Sequence, residues 1–183
     1  MPEPATSTTA ARVLVTGGVR SGKSRHAESL LSPLEPVTYV AAGPVRDDAD
    51  WAERVARHQA RRPSLWTTRE TVDVEGAVRS ALGPVLVDCL GTWLTRVVDE
   101  EGLWDAPTGR VEDAVVSRLT GFVDALGSAS ARVVVVTNEV GLGVVPEHRS
   151  GRLFRDLLGT VNQRVAEACD EVHLVVAGRV LVL

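Results

Sequence analysis

Residues Arg12–Ser24 read RVLVTGGVRSGKS, and this stretch decides the fold. Its first part, Arg12–Thr16, is a short apolar run suited to a strand buried on both faces, broken by Gly17-Gly18. The second part, Gly17-Gly18-Val19-Arg20-Ser21-Gly22-Lys23-Ser24, matches G-x-x-x-x-G-K-[ST] at full spacing. Beyond it, Ser24–Leu31 has helical composition and stops at Ser32-Pro33, so the motif lies between a strand and a helix. Glycines let backbone N–H groups turn inward around phosphate oxygens, and the helix that follows offers its positive end. In such a loop Lys23 reaches the β- and γ-phosphates of a nucleoside triphosphate, and the Ser24 hydroxyl is a ligand for Mg²⁺.

The competing reading is a glycine-rich turn that carries a lysine by accident. Composition argues against it. Nineteen of the 20 basic residues are arginine, and Lys23 is the only lysine in the chain. A compact ammonium and a planar guanidinium are not interchangeable in a phosphate loop.

Working outward, apolar blocks alternate with helical stretches. Val37–Ala41 reads as a second strand, ended by Gly43-Pro44, and Asp50–Arg61 as a helix. Leu65–Thr68 is a short strand candidate, Val74–Leu82 a helix, and Val85–Asp88 a clear strand. Arg110–Leu126 has helical spacing through Val111, Val115, Leu119 and Val123. Arg132–Thr137 is a strand, Arg152–Ala168 a helix, and Val172–Val176 and Val180–Leu183 flank a turn. Val-rich strands separated by helices imply a parallel sheet covered on both faces, an α/β three-layer fold. The last two strands are joined too closely for a parallel return, so that pair is antiparallel.

The chain has 183 residues, a size expected of one domain over residues 12–183, with residues 1–11 as an extension. A net charge of −4 leaves no electrostatic footprint for sequence-independent binding to nucleic acid. No apolar run approaches the ~18 residues of a membrane span. Cys89 and Cys169 are far apart and lack metal-ligand spacing. These features point to a cytoplasmic protein.

Asp88 closes the third clear strand, where a phosphate-loop protein places its acidic Mg²⁺ partner or base. Asp88-Cys89-Leu90-Gly91 also fits the D-x-x-G of regulatory GTPases. Their guanine-reading N-K-x-D needs a second lysine, however, and the strong strand ending at Thr137 is followed by Asn138-Glu139. A motor ATPase or helicase is disfavoured by one short domain without a basic stripe. A small-molecule kinase or nucleotidyltransferase remains.

His58 adds a second constellation. Helical spacing gathers Arg54, Arg61 and Arg62 around it. Positive neighbours disfavour protonation of an imidazole and keep it nucleophilic near neutral pH, and the same guanidinium groups suit an α-phosphate. Such a histidine can carry a nucleotidyl group covalently. A solvated basic face is the alternative. His26 follows the loop, His148 lies in a polar loop, and His173 falls within an apolar strand, where packing or edge exposure is the expected role.

Four stretches carry a family resemblance: Leu14–Glu28 (LVTGGVRSGKSRHAE), Arg54–Trp66 (RVARHQARRPSLW), Val136–Glu147 (VTNEVGLGVVPE) and Phe154–Val165 (FRDLLGTVNQRV). Together the chain from Arg12 onward resembles the bifunctional adenosylcobinamide kinase/adenosylcobinamide-phosphate guanylyltransferases of cobalamin biosynthesis. The resemblance implies a RecA-like P-loop NTPase fold, mostly parallel and flanked by helices, and two activities. One phosphorylates the aminopropanol hydroxyl of adenosylcobinamide with ATP or GTP. The other transfers GMP from GTP to the new phosphate through a guanylylated histidine, releasing pyrophosphate. The family's histidine lies four residues before an Arg-Pro pair, which here is His58 ahead of Arg62-Pro63.

Nucleotide contacts carried over from the family fall on Gly17, Gly18, Val19, Arg20, Ser21, Gly22, Lys23 and Ser24. They fall also on Ala41, Ala42 and Gly43, on Gln59, Ala60, Arg61 and Arg62, and on Glu70 and Asp88. Lys23 and His58 are the implied catalytic residues, and Ser24 and Asp88 the Mg²⁺ ligands. A homotrimer is implied as well. In relatives a threonine-bearing turn often follows the strand-end acid; here Gly91 shifts the hydroxyl to Thr92. Asn138 and Glu139 belong to a signature at a strand end, their roles left open. The rival readings are a P-loop kinase of another small molecule without a covalent intermediate, and a nucleotide-binding regulatory switch.

Overall fold

A computed structural model describes residues 11–43, 53 and 62–183. The predicted helix Asp50–Arg61 lies outside the described residues apart from Glu53, and with it go His58, Gln59, Ala60 and Arg61.

Seven strands form one sheet in the order β3-β2-β4-β5-β1-β6-β7. They are β1 (Arg12–Gly17), β2 (Thr38–Ala41), β3 (Thr67–Glu70), β4 (Val85–Asp88), β5 (Val133–Val136), β6 (Glu171–Val176) and β7 (Arg179–Val182). Every neighbouring pair is parallel except β6–β7, as the short final connection requires. That connection is a two-residue turn, Ala177-Gly178, with φ of 49° and 76°. Positive φ at both positions is what the tight turn of a twisted hairpin demands.

The described helices are α1 (Lys23–Ser29), α2 (Val74–Arg79), α3 (Leu90–Glu100), α4 (Thr108–Ser128) and α5 (Arg149–Glu167). α3 was absent from the sequence expectations. Its apolar positions Leu90, Trp93, Leu94, Val97 and Val98 recur at the i, i+3, i+4, i+7, i+8 spacing of one helical face, and all are buried. Thr92 closes its first turn: its hydroxyl accepts from the Cys89 N–H at 3.4 Å, so the displaced threonine is half of a capping box.

Strand alternation builds two cores. Val13 and Val15, Leu86, and Val134 and Val136 face α1, together with Tyr39 and Trp66. Leu14, Val85 and Val87, and Val133 and Val135 face the layer containing α2–α5. Period-two alternation with apolar residues on both faces is why these strands read as continuous valine runs. The edge strand β3 is exposed at all four residues, TTRE, and lies two residues beyond its predicted position. An edge strand with no buried face has no apolar pattern to read; its place is set by pairing with β2.

Candidate active site

The phosphate loop joins β1 to α1. Gly22 caps α1 with φ 101°, a left-handed conformation that a side chain would strain. Gly17 packs against β6 so closely that a Cβ would lie 2.4 Å from the Val175 carbonyl oxygen. Lys23 is buried, and its Nζ donates to the Gly18 carbonyl at 3.1 Å, so the ammonium is folded back over the loop. Ser21 Oγ is buried without a hydrogen-bond partner among the described residues, inside a loop built to receive oxygen anions. Val19 and Arg20 are exposed at the loop tip.

The rest of the site comes from sheet register. Ala41 pairs with Glu70 on one side and with Asp88 on the other, so the ends of β2, β3 and β4 are level. Ala42 and Gly43 continue from this edge, and Arg96 of α3 donates to the Gly43 carbonyl at 3.4 Å. Ligands of α/β sheets bind outside the carboxyl ends of the strands, and the phosphate loop opens at that same edge.

Asp88 and the loop act on a common neighbour. Burial, and then the Asp88 charge, push the Cys89 thiol up, whereas Lys23 pulls it the other way. Cys89 is also held by Asn138: its Sγ donates to Oδ1 at 3.5 Å. Glu139 N–H donates to the Gly17 carbonyl at 3.2 Å, which ties the segment after β5 to the start of the phosphate loop. Burial raises the Cys169 thiol to about 12, so both free cysteines stay protonated.

One functional residue escaped the sequence reading. Tyr39, the only tyrosine, donates its hydroxyl to Asp88 Oδ2 at 2.8 Å. The Arg62 guanidinium lies 3.4 Å from the centroid of its ring and donates to Thr68 Oγ1 at 2.7 Å. Tyr39, Thr68 and Asp88 share the α1 face because Tyr39 pairs with Thr68 and with Leu86, two residues before Asp88. Burial first, then Asp88, hold the phenol well above its ordinary pKa, so it stays protonated and able to donate. A lone tyrosine in a strand next to the acid was the available signal.

His26 and His173 meet on the same face, away from Asp88. With Glu171 accepting from His173 Nε2 at 2.9 Å, His173 Nδ1 is left to accept from His26 Nε2 at 2.8 Å. Burial and then His173 lower the His26 pKa.

The hydroxyl of Ser24 and the carboxylate of Asp88 are hard oxygen donors of the kind Mg²⁺ selects. Among the described residues no cluster of three or more His, Cys, Asp and Glu forms a metal cage. Among the described residues no helix is long and apolar enough to cross a membrane.

A strand–loop–helix with a buried lysine, opening beside a strand-end carboxylate, defines a P-loop nucleotide-binding protein of the α/β class. A solved structure from a study of a prototypical ATPase of the type III secretion system of pathogenic bacteria has this fold, with a TM-score of 0.51 at 12% identity. The match covers 90% of this chain and 50% of that one, so the present chain spans about half its length. Residues 13–183 match the family model of cobinamide kinase / cobinamide phosphate guanyltransferase (CobU), and the chain belongs to that family of bifunctional enzymes. The bifunctional adenosylcobalamin biosynthesis proteins CobU of Salmonella typhimurium and of Escherichia coli are each 40% identical to it over 176 residues, covering 91% of this chain and 96% of theirs. The bifunctional adenosylcobalamin biosynthesis protein CobP of Pseudomonas aeruginosa is 38% identical over 176 residues, or 91% of this chain and 94% of its own.

Proposed function

We propose that this protein phosphorylates adenosylcobinamide and then transfers GMP from GTP to adenosylcobinamide phosphate through a guanylyl-His58 intermediate. The observation that carries the reading is the phosphate loop with its buried lysine, Lys23, in a chain that matches this family over residues 13–183. One phosphate site then serves both reactions.

In the kinase half-reaction the Gly17–Ser24 loop holds the triphosphate, and Lys23 leaves the Gly18 carbonyl to meet the β- and γ-phosphates. The substrate hydroxyl forms its O–P bond to the γ-phosphorus as the bond from that phosphorus to the β–γ bridging oxygen breaks; the nucleoside diphosphate leaves and the hydroxyl proton passes to solvent. Positioning and charge neutralisation supply most of the catalysis. Ser24 and Asp88 would hold Mg²⁺, which would supply charge neutralisation to the phosphates.

In the second half-reaction the neutral imidazole of His58 attacks the α-phosphorus of GTP. A P–N bond forms, the α–β P–O bond breaks, and pyrophosphate departs against Lys23 and the arginines. The phosphate of the corrinoid then attacks the same phosphorus. The P–N bond breaks, His58 is regenerated and adenosylcobinamide-GDP is formed. Support for His58 comes from its chain neighbour: Arg62, four residues on, is stacked beside the residue that holds Asp88. Gln59, Ala60, Arg61, Glu70 and the Ala41–Gly43 turn complete the nucleotide contacts in this reading.

Incubation with α-labelled GTP is expected to leave acid-labile label on the protein and none on the His58→Ala variant. Normal labelling of that variant overturns the intermediate. Product analysis with adenosylcobinamide and GTP separates the two activities from hydrolysis alone.

We place the enzyme in the cytoplasm as a homotrimer. Two cysteines that form no disulfide fit a reducing compartment. Exposed Leu142, Val144 and Val145, and Leu181–Leu183 on the edge hairpin, supply apolar surface for subunit contacts. Light scattering on the full chain tests the trimer.

A further inference from the structure

Asp88 and Arg62 carry opposite charges at the same edge of the sheet, and Tyr39 touches both. Its hydroxyl donates to Asp88 Oδ2 at 2.8 Å while its ring lies 3.4 Å from the Arg62 guanidinium carbon. The tyrosine is only 3% exposed, so it cannot swing aside without leaving the core it shares with Trp66 and Leu86. Arg62 is anchored as well: it donates to Thr68 at 2.7 Å, while its buried Nε has no hydrogen-bond partner among the described residues.

Consider the site without this ring. A carboxylate and a guanidinium within reach of one another form a bidentate pair, a strong charge-assisted contact. That pair would consume both groups: the carboxylate would be lost to a cation, and the guanidinium to a phosphate. An aromatic ring between them gives the guanidinium a face to stack on, which leaves open the N–H groups not donated to Thr68. The phenol gives the carboxylate one neutral donor, which orients it and leaves its charge uncompensated.

We propose that Tyr39 is a positioning residue: it aims the Asp88 carboxylate at the divalent cation and separates it from Arg62, which is thereby kept open for nucleotide phosphate. The inference rests on the reading of Asp88 as a cation ligand. It adds a residue that touches neither the reacting atoms nor the cation.

The experiment measures Mn²⁺ binding, by electron paramagnetic resonance of the free ion, to the full chain loaded with the β,γ-imido analogue of GTP. Affinity of the analogue without metal is measured in parallel. Tyr39→Phe keeps the ring and removes only the donor. It is expected to weaken Mn²⁺ about 10-fold, the loss usual when an outer-shell partner of a metal ligand is removed. Its metal-free analogue affinity should stay within twofold of wild type.

Tyr39→Leu removes the separator, and both Mn²⁺ and analogue binding are expected to fall. Adding Arg62→Gln to Tyr39→Leu should then bring Mn²⁺ affinity back toward the Tyr39→Phe value, because the competing cation is gone. A purely structural role for Tyr39 predicts no such rescue. Wild-type Mn²⁺ affinity in Tyr39→Phe, or no rescue in the double variant, overturns the proposal. Asp88→Asn is the reference: Mn²⁺ binding that survives it overturns the underlying reading of Asp88, whereas loss there with no effect of Tyr39→Phe overturns the role of Tyr39 alone.

Discussion

Two walls of the site are built in different ways. The phosphate loop is one continuous run, Gly17–Ser24, in which Lys23 turns back to a carbonyl only five residues away. The opposite wall is assembled from Tyr39, Arg62 and Asp88, and its Tyr39–Asp88 contact spans 49 residues of chain. The loop owes its shape to local backbone chemistry: left-handed Gly22 and the close approach of Gly17 to β6. The other wall owes its shape to sheet register, since a slip of one residue in β2 would turn Tyr39 to the far face. An anion cradle can be written as a motif. A carboxylate aimed by a distant strand cannot.

The comparison predicts where damage is greatest. Lys23→Ala removes the ammonium of the loop, and turnover in both half-reactions is expected to drop by about 10²–10³-fold. Steady-state assays with the corrinoid and GTP check this, and an unchanged kinase rate would show that the walls do not serve one shared site. Asp88→Asn changes the far wall with little change of shape. The Tyr39 hydroxyl can still donate to the amide oxygen, so a loss of turnover of about 10²-fold with an unaltered melting temperature is expected.

Gly22→Ala tests the loop as a piece of backbone. At φ 101° a Cβ is strained, so urea unfolding should register a loss of roughly 1–2 kcal/mol together with weaker nucleotide binding. The smallest effect concerns the floor behind the loop. The folded state holds the His26 pKa below its ordinary 6.5, so the unfolded chain takes up that proton first as pH falls. The contribution is complete above pH 6.5 and is lost as pH drops through the depressed folded value. Urea midpoints measured from about pH 7.5 to about pH 5.5 should fall less steeply for His26→Leu than for wild type.

How much could be read without coordinates follows the same division. The strands at β1, β4 and β5 were legible because burial on both faces writes an unbroken apolar run. β3 was displaced because an exposed edge strand has no such pattern. α3 was legible in principle from Leu90, Trp93, Leu94, Val97 and Val98, a stretch to which the sequence expectations assigned no element. In the site, Lys23 and Ser24 were evident from spacing, and Asp88 from its place at a strand end. Tyr39 looked like any strand aromatic until pairing with β3 and β4 placed it between an acid and a base.

By itself, then, the sequence determined the α/β class, the phosphate loop and its one lysine, because each depends on neighbours within a few residues. It also carried the family, since residues 13–183 match the cobinamide kinase / cobinamide phosphate guanyltransferase family nearly end to end. Only the tertiary structure decided which groups meet that loop. Strand order and register bring Tyr39, Thr68 and Asp88 to one face of the sheet, and the folded chain sets Arg62 over the tyrosine ring. Hydrogen bonding between strands far apart in the chain sets that geometry, and no local spacing encodes it.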